Sequence, residues 1–407
     1  AAFGPPPFPA MRILFISNYF PGDIGPLARQ LAAAPGNEVL FASNRQRKDY
    51  ALAGVRRVRL KNAPLFGDAP PTVPQLWEEA IRRGSGGLRS LLALRQSWGA
   101  ADIIFASLAG GAAFFAPQAF PEAFLVTYAE SGLKNLSLLP GAVRDAWSLL
   151  QSALFLQGDL CFAFSERQRR LFPEPLRAAI HLVPPCVDAE VFSRAAADPW
   201  GAGEATGGKP AAPLLTLDAT GLERQRLAAL LGVGRAVLQA LPRCRVVMLT
   251  ENGSLRQAVE TAVDAWPAAS RSRFAAYNSL PFDRYRDLLA ASRLVVCPGG
   301  GDAAERCLLE CMSCETLLMA RSTAANFLRP GVNMLELPEG GAEVVARAVV
   351  QVLAPDRPRE SARELSPVAR MARRDVLAHF SEEVVAPAHL ARVMQARAAW
   401  KKERDRA

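Results

Sequence analysis

Cys307, Cys311 and Cys314 fall within the run ERCLLECMSC, spaced Cys-x3-Cys-x2-Cys. Three thiolates at that spacing can hold three irons of a four-iron cluster and leave the fourth open to S-adenosylmethionine. A radical enzyme of that kind carries its triad on a loop near the start of a barrel. Here the run lies late in the chain, between the apolar stretches RLVVCPGG and TLLMA, which read as strands. Positions i, i+4 and i+7 share one helical face, so the three cysteines read as small buried side chains of a helix over Ala303–Cys314. The same run holds a carboxylate, Glu310, inside LLECM, with a second, Asp302, eight residues before it. A helix start with free N–H groups and a positive dipole suits an anionic ligand.

Other groups able to do chemistry are few. The loop GLERQR carries Arg224 and Arg226 just after a strand-like run, LLTLDAT. The chain has only three histidines, His181, His379 and His389, and none is expected at a ligand. His181, in AAIHLV, reads as a packed strand residue.

The elements that position these residues follow from the hydrophobic pattern. With 407 residues, half of them hydrophobic and 21% charged, the chain is globular and long enough for two or three domains. Seven cysteines with no preceding secretory signal read as reduced thiols of a cytosolic protein. MRILFIS, then a loop NYFPGDIGP, then LARQLAAA, then GNEVLFAS is a βαβ unit. ADIIFAS, AFLVTYAE, GDLCFAF and AAIHLV add strands. After a Gly-, Ala- and Pro-rich stretch, 193–213, the alternation restarts with LLTLDAT, CRVVMLTE, FAAYNSL, RLVVCPGG and TLLMA, separated by helical patterns. The 18 uncharged residues Ile103–Phe120 contain Pro117, Gln118 and a Gly pair, and read as a strand, loop and short helix rather than a membrane span. The formal charge of +9 and the early clusters RQRK and RRVRLK read either as a solvated basic face or as attraction to an anionic bilayer or substrate. No nucleic-acid motif accompanies them.

Three stretches, in order and at matching spacing from Met11 to about Met394, resemble the family 4 glycosyltransferases of the GT-B fold, closest to a bacterial branch. They are ILFISNYFPGDIGPLARQLAAAPGNEVLFAS, LCFAFSERQRRLFPEPLRAAIHLVPPCVDAEVF, with its Pro185, Cys186, Val187, Asp188 and Phe192, and CPGGGDAAERCLLECMSCETLLMA. The resemblance implies an α/β chain of GT-B architecture: two doubly wound Rossmann-like domains facing a cleft, with a C-terminal helix crossing back. The expected division is a disordered leader at 1–10, an acceptor domain at 11–192, a linker at 193–213, a nucleotide-sugar domain at 214–374, and helices returning to the first domain at 375–407. Within those last helices Val376, Leu377 and Phe380 would form one apolar face and Leu390, Val393 and Met394 another, with Pro387 breaking the run between them.

The activity implied is retaining, metal-independent sugar transfer from a nucleotide-diphosphate sugar, with no cofactor, to a glycan, lipid-linked or protein acceptor in cell-surface glycan biosynthesis. The expected location is cytoplasmic, with peripheral contact at an anionic membrane. Glu310 would hold the ribose or sugar end of the donor, Asp302, Ala303 and Leu309 would lie along the donor, and Arg226 with Arg224 would grip the diphosphate. Tyr277 would lie beside the base, near backbone atoms up to Leu280, and Gly22 and Glu130 would line the first domain's side of the cleft. The pattern departs from the family at three places: Asp302 stands for Glu, Thr220 for a basic residue, and Ser107 for His. Those departures set up the alternative of a catalytically inactive GT-B protein serving as a binding or assembly partner.

Overall fold

A computed structural model describes residues 10–46, 49–60, 72–107, 111–129, 141–194, 212–220, 222, 224–250, 253–300, 302–354 and 366–406, without the side chains of 45, 224, 225 and 302–304. The leader at 1–9, most of the expected linker (195–211) and Glu130 lie outside the described residues. The chain divides into two compact units, one formed by 1–186 with 383–407 and the other by 187–382.

The first unit runs β1 (Arg12–Phe20), α1 (Gly25–Ala33), β2 (Glu38–Gln46), β3 (Val55–Arg59), α2 (Val73–Trp98), β4 (Ile103–Ser107), α3 (Ala116–Ala119), β5 (Phe124–Ala129), α4 (Gly141–Phe155), β6 (Leu160–Ala163), α5 (Glu166–Arg169), α6 (Glu174–Arg177) and β7 (Ile180–Leu182). Its sheet is parallel, in the order β3-β2-β1-β4-β5-β6-β7. The β-branched and aromatic run ILFIS is buried on both faces, as a central parallel strand requires. Ile13 and Phe15 enter one core, and Leu14 and Ile16 the other. The basic run RRVRLK is largely β3, the edge strand, whose exposed Arg56, Arg57 and Arg59 discourage further strand pairing. Sequence patterning missed both β3 and the 26-residue α2.

The second unit runs β8 (Leu214–Asp218), α7 (Arg224–Ala240), β9 (Arg245–Leu249), α8 (Gly253–Asp264), α9 (Ala268–Arg271), β10 (Phe274–Tyr277), α10 (Phe282–Ala291), β11 (Leu294–Cys297), α11 (Asp302–Ser313), β12 (Leu317–Ala320), β13 (Leu335–Glu336), α12 (Ala342–Leu353) and α13 (Pro367–His379). Its parallel sheet has the order β10-β9-β8-β11-β12-β13. Arg273 holds the last turn of α7 by donating to the carbonyls of Leu238, Leu241 and Cys244 at 2.7, 3.0 and 3.0 Å.

The last helix, α14 (Glu382–Arg404), belongs to the first unit from Glu383 on, whereas α13 belongs to the second. The return therefore starts later than 375. Val376 is buried in the second unit's core with Cys311 and Met312, Phe380 packs against that core, and Leu377 is exposed. Pro387 does not break the run, for α14 continues through it. A proline inside a helix costs about 3 kcal/mol through its lost hydrogen bond and the clash of its ring with the preceding turn, and burial of Val385, Leu390 and Val393 in the first unit's core opposes that cost. α14 covers a row of rings on one sheet face. Phe41, Phe15 and Phe105 stack at 5.6 and 4.7 Å, Tyr128 and Phe162 stack at 5.8 Å, and His389 meets Phe162 at 4.4 Å.

Candidate functional site

Each sheet reverses its winding once, between β1 and β4 in the first unit and between β8 and β11 in the second. A crevice outside the carboxyl ends of such strands is where doubly wound sheets take ligands. In the second unit β8 ends at Asp218, which is buried and accepts from the Thr220 N–H at 2.9 Å. That turn aims Thr220 and the start of α7 at the crevice, with Arg226 exposed in the first helical turn. Across from it, β11 leads through Gly299 to the start of α11. A Cβ at Gly299 would lie 2.7 Å from the Thr220 carbonyl oxygen, so only glycine lets these two segments pass. The N-terminus of α11, beginning at Asp302, therefore follows the switch point directly.

Glu310 lies in the third turn of α11 and is 5% exposed. Its Oε1 accepts from Arg306 Nε at 3.2 Å and its Oε2 from the Tyr285 hydroxyl at 2.6 Å. Leu309 is not a ligand-facing side chain. It packs in the core with Leu308 and Met312, which leaves only its backbone for a ligand. Tyr277 closes β10, and its carbonyl oxygen accepts from the Thr250 N–H at 2.8 Å and Thr250 Oγ1 at 3.3 Å. Asp302, Ala303 and Arg224 occupy the starts of α11 and α7; their side chains lie outside the described residues.

The cysteines of the same helix are core. Cys307, Cys311 and Cys314 are buried among Leu308, Met312, Leu318 and Val376. Burial pushes the Cys314 thiol up to about 12, and the Cys307 hydrogen bond together with burial pushes Cys311 well above the usual thiol range. Thiols held protonated in an apolar core are poor metal ligands.

In the first unit Ser107 ends β4 and is buried, and Gly22 turns the chain after β1 with φ +57°. A side chain at Gly22 would meet the Tyr19 carbonyl at 3.1 Å, so its turn geometry alone accounts for glycine there. Sequence reading did not bring Asn18 and Arg83 together. Both are buried, and Arg83 Nη2 donates to Asn18 Oδ1 at 3.0 Å across 65 residues of sequence, a pairing that no local pattern reveals.

The described architecture matches known structures over nearly its whole length. Sucrose-phosphate synthase from Thermosynechococcus elongatus has a TM-score of 0.66 at 17% identity, covering 96% of this chain and 100% of that one. The Anabaena protein HepE in complex with UDP-glucose gives 0.63 at 14%, covering 96% and 100%. The catalytic domain of Arabidopsis thaliana starch synthase IV, bound to ADP and acarbose, gives 0.59 at 12%, covering 96% and 99%. The fold is GT-B. Within it, residues 35–134 match the family model for the glycosyl transferase family 4 group. No curated protein sequence matches the chain. Among the described residues, no helix is long and apolar enough to cross a membrane.

Proposed function

We propose that the protein is a glycosyltransferase that moves a sugar from a nucleoside-diphosphate donor bound by its second unit. The observation that carries this is the β8–β11 switch point, where Gly299 passes under the Thr220 carbonyl and delivers the N-terminus of α11, with buried Glu310 on the same helix. The donor diphosphate would sit on the N–H groups at the start of α11, where the helix dipole favours negative charge. Arg226, with Arg224 on the same first turn of α7, would neutralise the charge that develops as the nucleoside diphosphate leaves. Asp302 would receive sugar hydroxyls, and Glu310 would accept from the ribose. With phosphate charge met by arginines and backbone dipoles, the transfer needs no metal, and the leaving phosphate takes the acceptor's proton, consistent with retention. The acceptor, a glycan, a lipid-linked sugar or a protein, would bind the first unit.

The test is calorimetry with UDP, ADP and GDP, followed by a panel of nucleotide sugars assayed for release of the nucleoside diphosphate. Micromolar to millimolar binding of one diphosphate, weakened in Arg226→Ala, is expected. Failure of the folded protein to bind any of the three would refute the reading and favour a protein that has kept the fold without the chemistry.

A further inference from the structure

We propose that Tyr285 is the positioning residue for the Glu310 carboxylate and thereby sets how strongly the site prefers a ribonucleotide to a 2′-deoxyribonucleotide. This rests on the reading of Glu310 as the ribose contact. Glu310 is gripped from two sides by different elements. Arg306, one turn earlier on α11, donates to Oε1 at 3.2 Å, and Tyr285, from α10, donates to Oε2 at 2.6 Å. A donor on the carboxylate's own helix leaves it free to swing together with that donor. A donor from a separate helix fixes the plane against the rest of the unit.

Tyr285 is itself held. Its N–H donates to the Pro281 carbonyl at 2.9 Å, and its ring stands edge-on to Phe192, with centroids 6.3 Å apart. Burial drives the Tyr285 hydroxyl well above its usual pKa, so it remains a neutral donor. The pair Arg306 and Glu310 is neutral overall, and a neutral third partner keeps it so. The diphosphate at the start of the same helix is then not faced by an unbalanced anion.

The experiment compares binding of UDP with 2′-deoxy-UDP, and the matching ADP and GDP pairs, in the unaltered protein, Tyr285→Phe, Glu310→Ala and the double variant. The unaltered protein is expected to favour the ribonucleotide at least about tenfold. Tyr285→Phe keeps the ring and should compress that preference to about twofold, with the deoxynucleotide affinity nearly unchanged. In the Glu310→Ala background, adding Tyr285→Phe should change nothing further, because the tyrosine acts through the carboxylate. Tyr285→His, which keeps a ring and restores a donor, should recover part of the preference. A purely structural tyrosine would weaken both nucleotides equally, and that result overturns the proposal. So does an additional loss in the double variant, or an unaltered protein that binds both nucleotides alike. Absence of any nucleoside-diphosphate binding would instead refute the glycosyltransferase reading itself, which keeps the two failures distinct.

Discussion

His389 is the group through which acid should loosen the first unit. It lies on α14, 8% exposed, with its Nε2 3.0 Å from the Tyr128 hydroxyl and its ring edge against Phe162. Tyr128 is fully enclosed, and burial raises its pKa well above the ordinary value, so the phenol is the donor and the imidazole the acceptor. Burial, and then the positive charge of Arg392, push His389 down to about 4. The folded state thus binds its proton more weakly than the unfolded chain, whose histidine titrates near 6.5. The stabilisation is complete above pH 6.5 and is lost as pH falls toward 4. Each pH unit within that window removes about 1.4 kcal/mol, so lowering pH from 7 to 5 should destabilise the unit by about 2 kcal/mol through His389 alone.

His181, lowered by burial and by the same Arg392, works in the same direction, so the assay must isolate one residue. Chemical denaturation of the full chain and of His389→Gln between pH 7 and pH 5 does so. The difference in slope between them should approach one proton, and the His389 ring signals should show no titration above pH 5. Parallel slopes, or a ring that titrates near 6.5, would refute the argument that α14 is fastened by a neutral histidine.

Gly299→Ala places a methyl carbon 2.7 Å from the Thr220 carbonyl. It should abolish nucleoside-diphosphate binding or cost the second unit about 1–3 kcal/mol, read by calorimetry and denaturation, and an unchanged protein would remove the close-approach argument. Arg373 donates to the carbonyls of Phe192 and Ala189, both at 3.1 Å, and to Ser313, joining α13 to the end of α11 and to the 189–192 segment. Arg373→Ala should destabilise the second unit by about 2–4 kcal/mol, checked by denaturant midpoint. Cys307, Cys311 and Cys314 changed together to Ala should lower stability yet leave nucleoside-diphosphate binding measurable. Loss of binding in a folded triple variant would return the thiols to the site.

Central parallel strands were legible because both of their faces are apolar: ILFIS, LLTLDAT and RLVVC each read as the buried strand that the structure shows. Elements whose signal is set by tertiary contact were not. β3, VRRVR, carries two valines and three exposed arginines as an edge strand can, and its pattern reads equally well as a basic surface. α2 contains Gly84, Ser85, Gly86 and Gly87, which in isolation mark a break. The helix nevertheless runs on through them, and a Cβ at Gly87 would lie 2.3 Å from the Ala112 carbonyl, so the glycine serves the contact with the following segment, not a turn. Pro387 misled for a related reason, since apolar burial along α14 outweighs the proline's local effect.

The candidate site shows the same division between local and tertiary information. The eight-residue separation of Asp302 and Glu310 and the arginines after β8 are local, and the sequence places both carboxylates on α11 and the arginines at the start of α7. Arg306, four residues before Glu310, also lies within reach of helical periodicity. Tyr285 does not, being 25 residues away on another helix. Leu309, adjacent to Glu310, points the other way into the core, because neighbouring residues on a helix do not share a face. A carboxylate buried to 5% exposure with two donors has its geometry set before any ligand arrives. What the sequence conveys, then, is which groups stand at the switch point; which of them are held rigid is decided by the packing of α10 against α11.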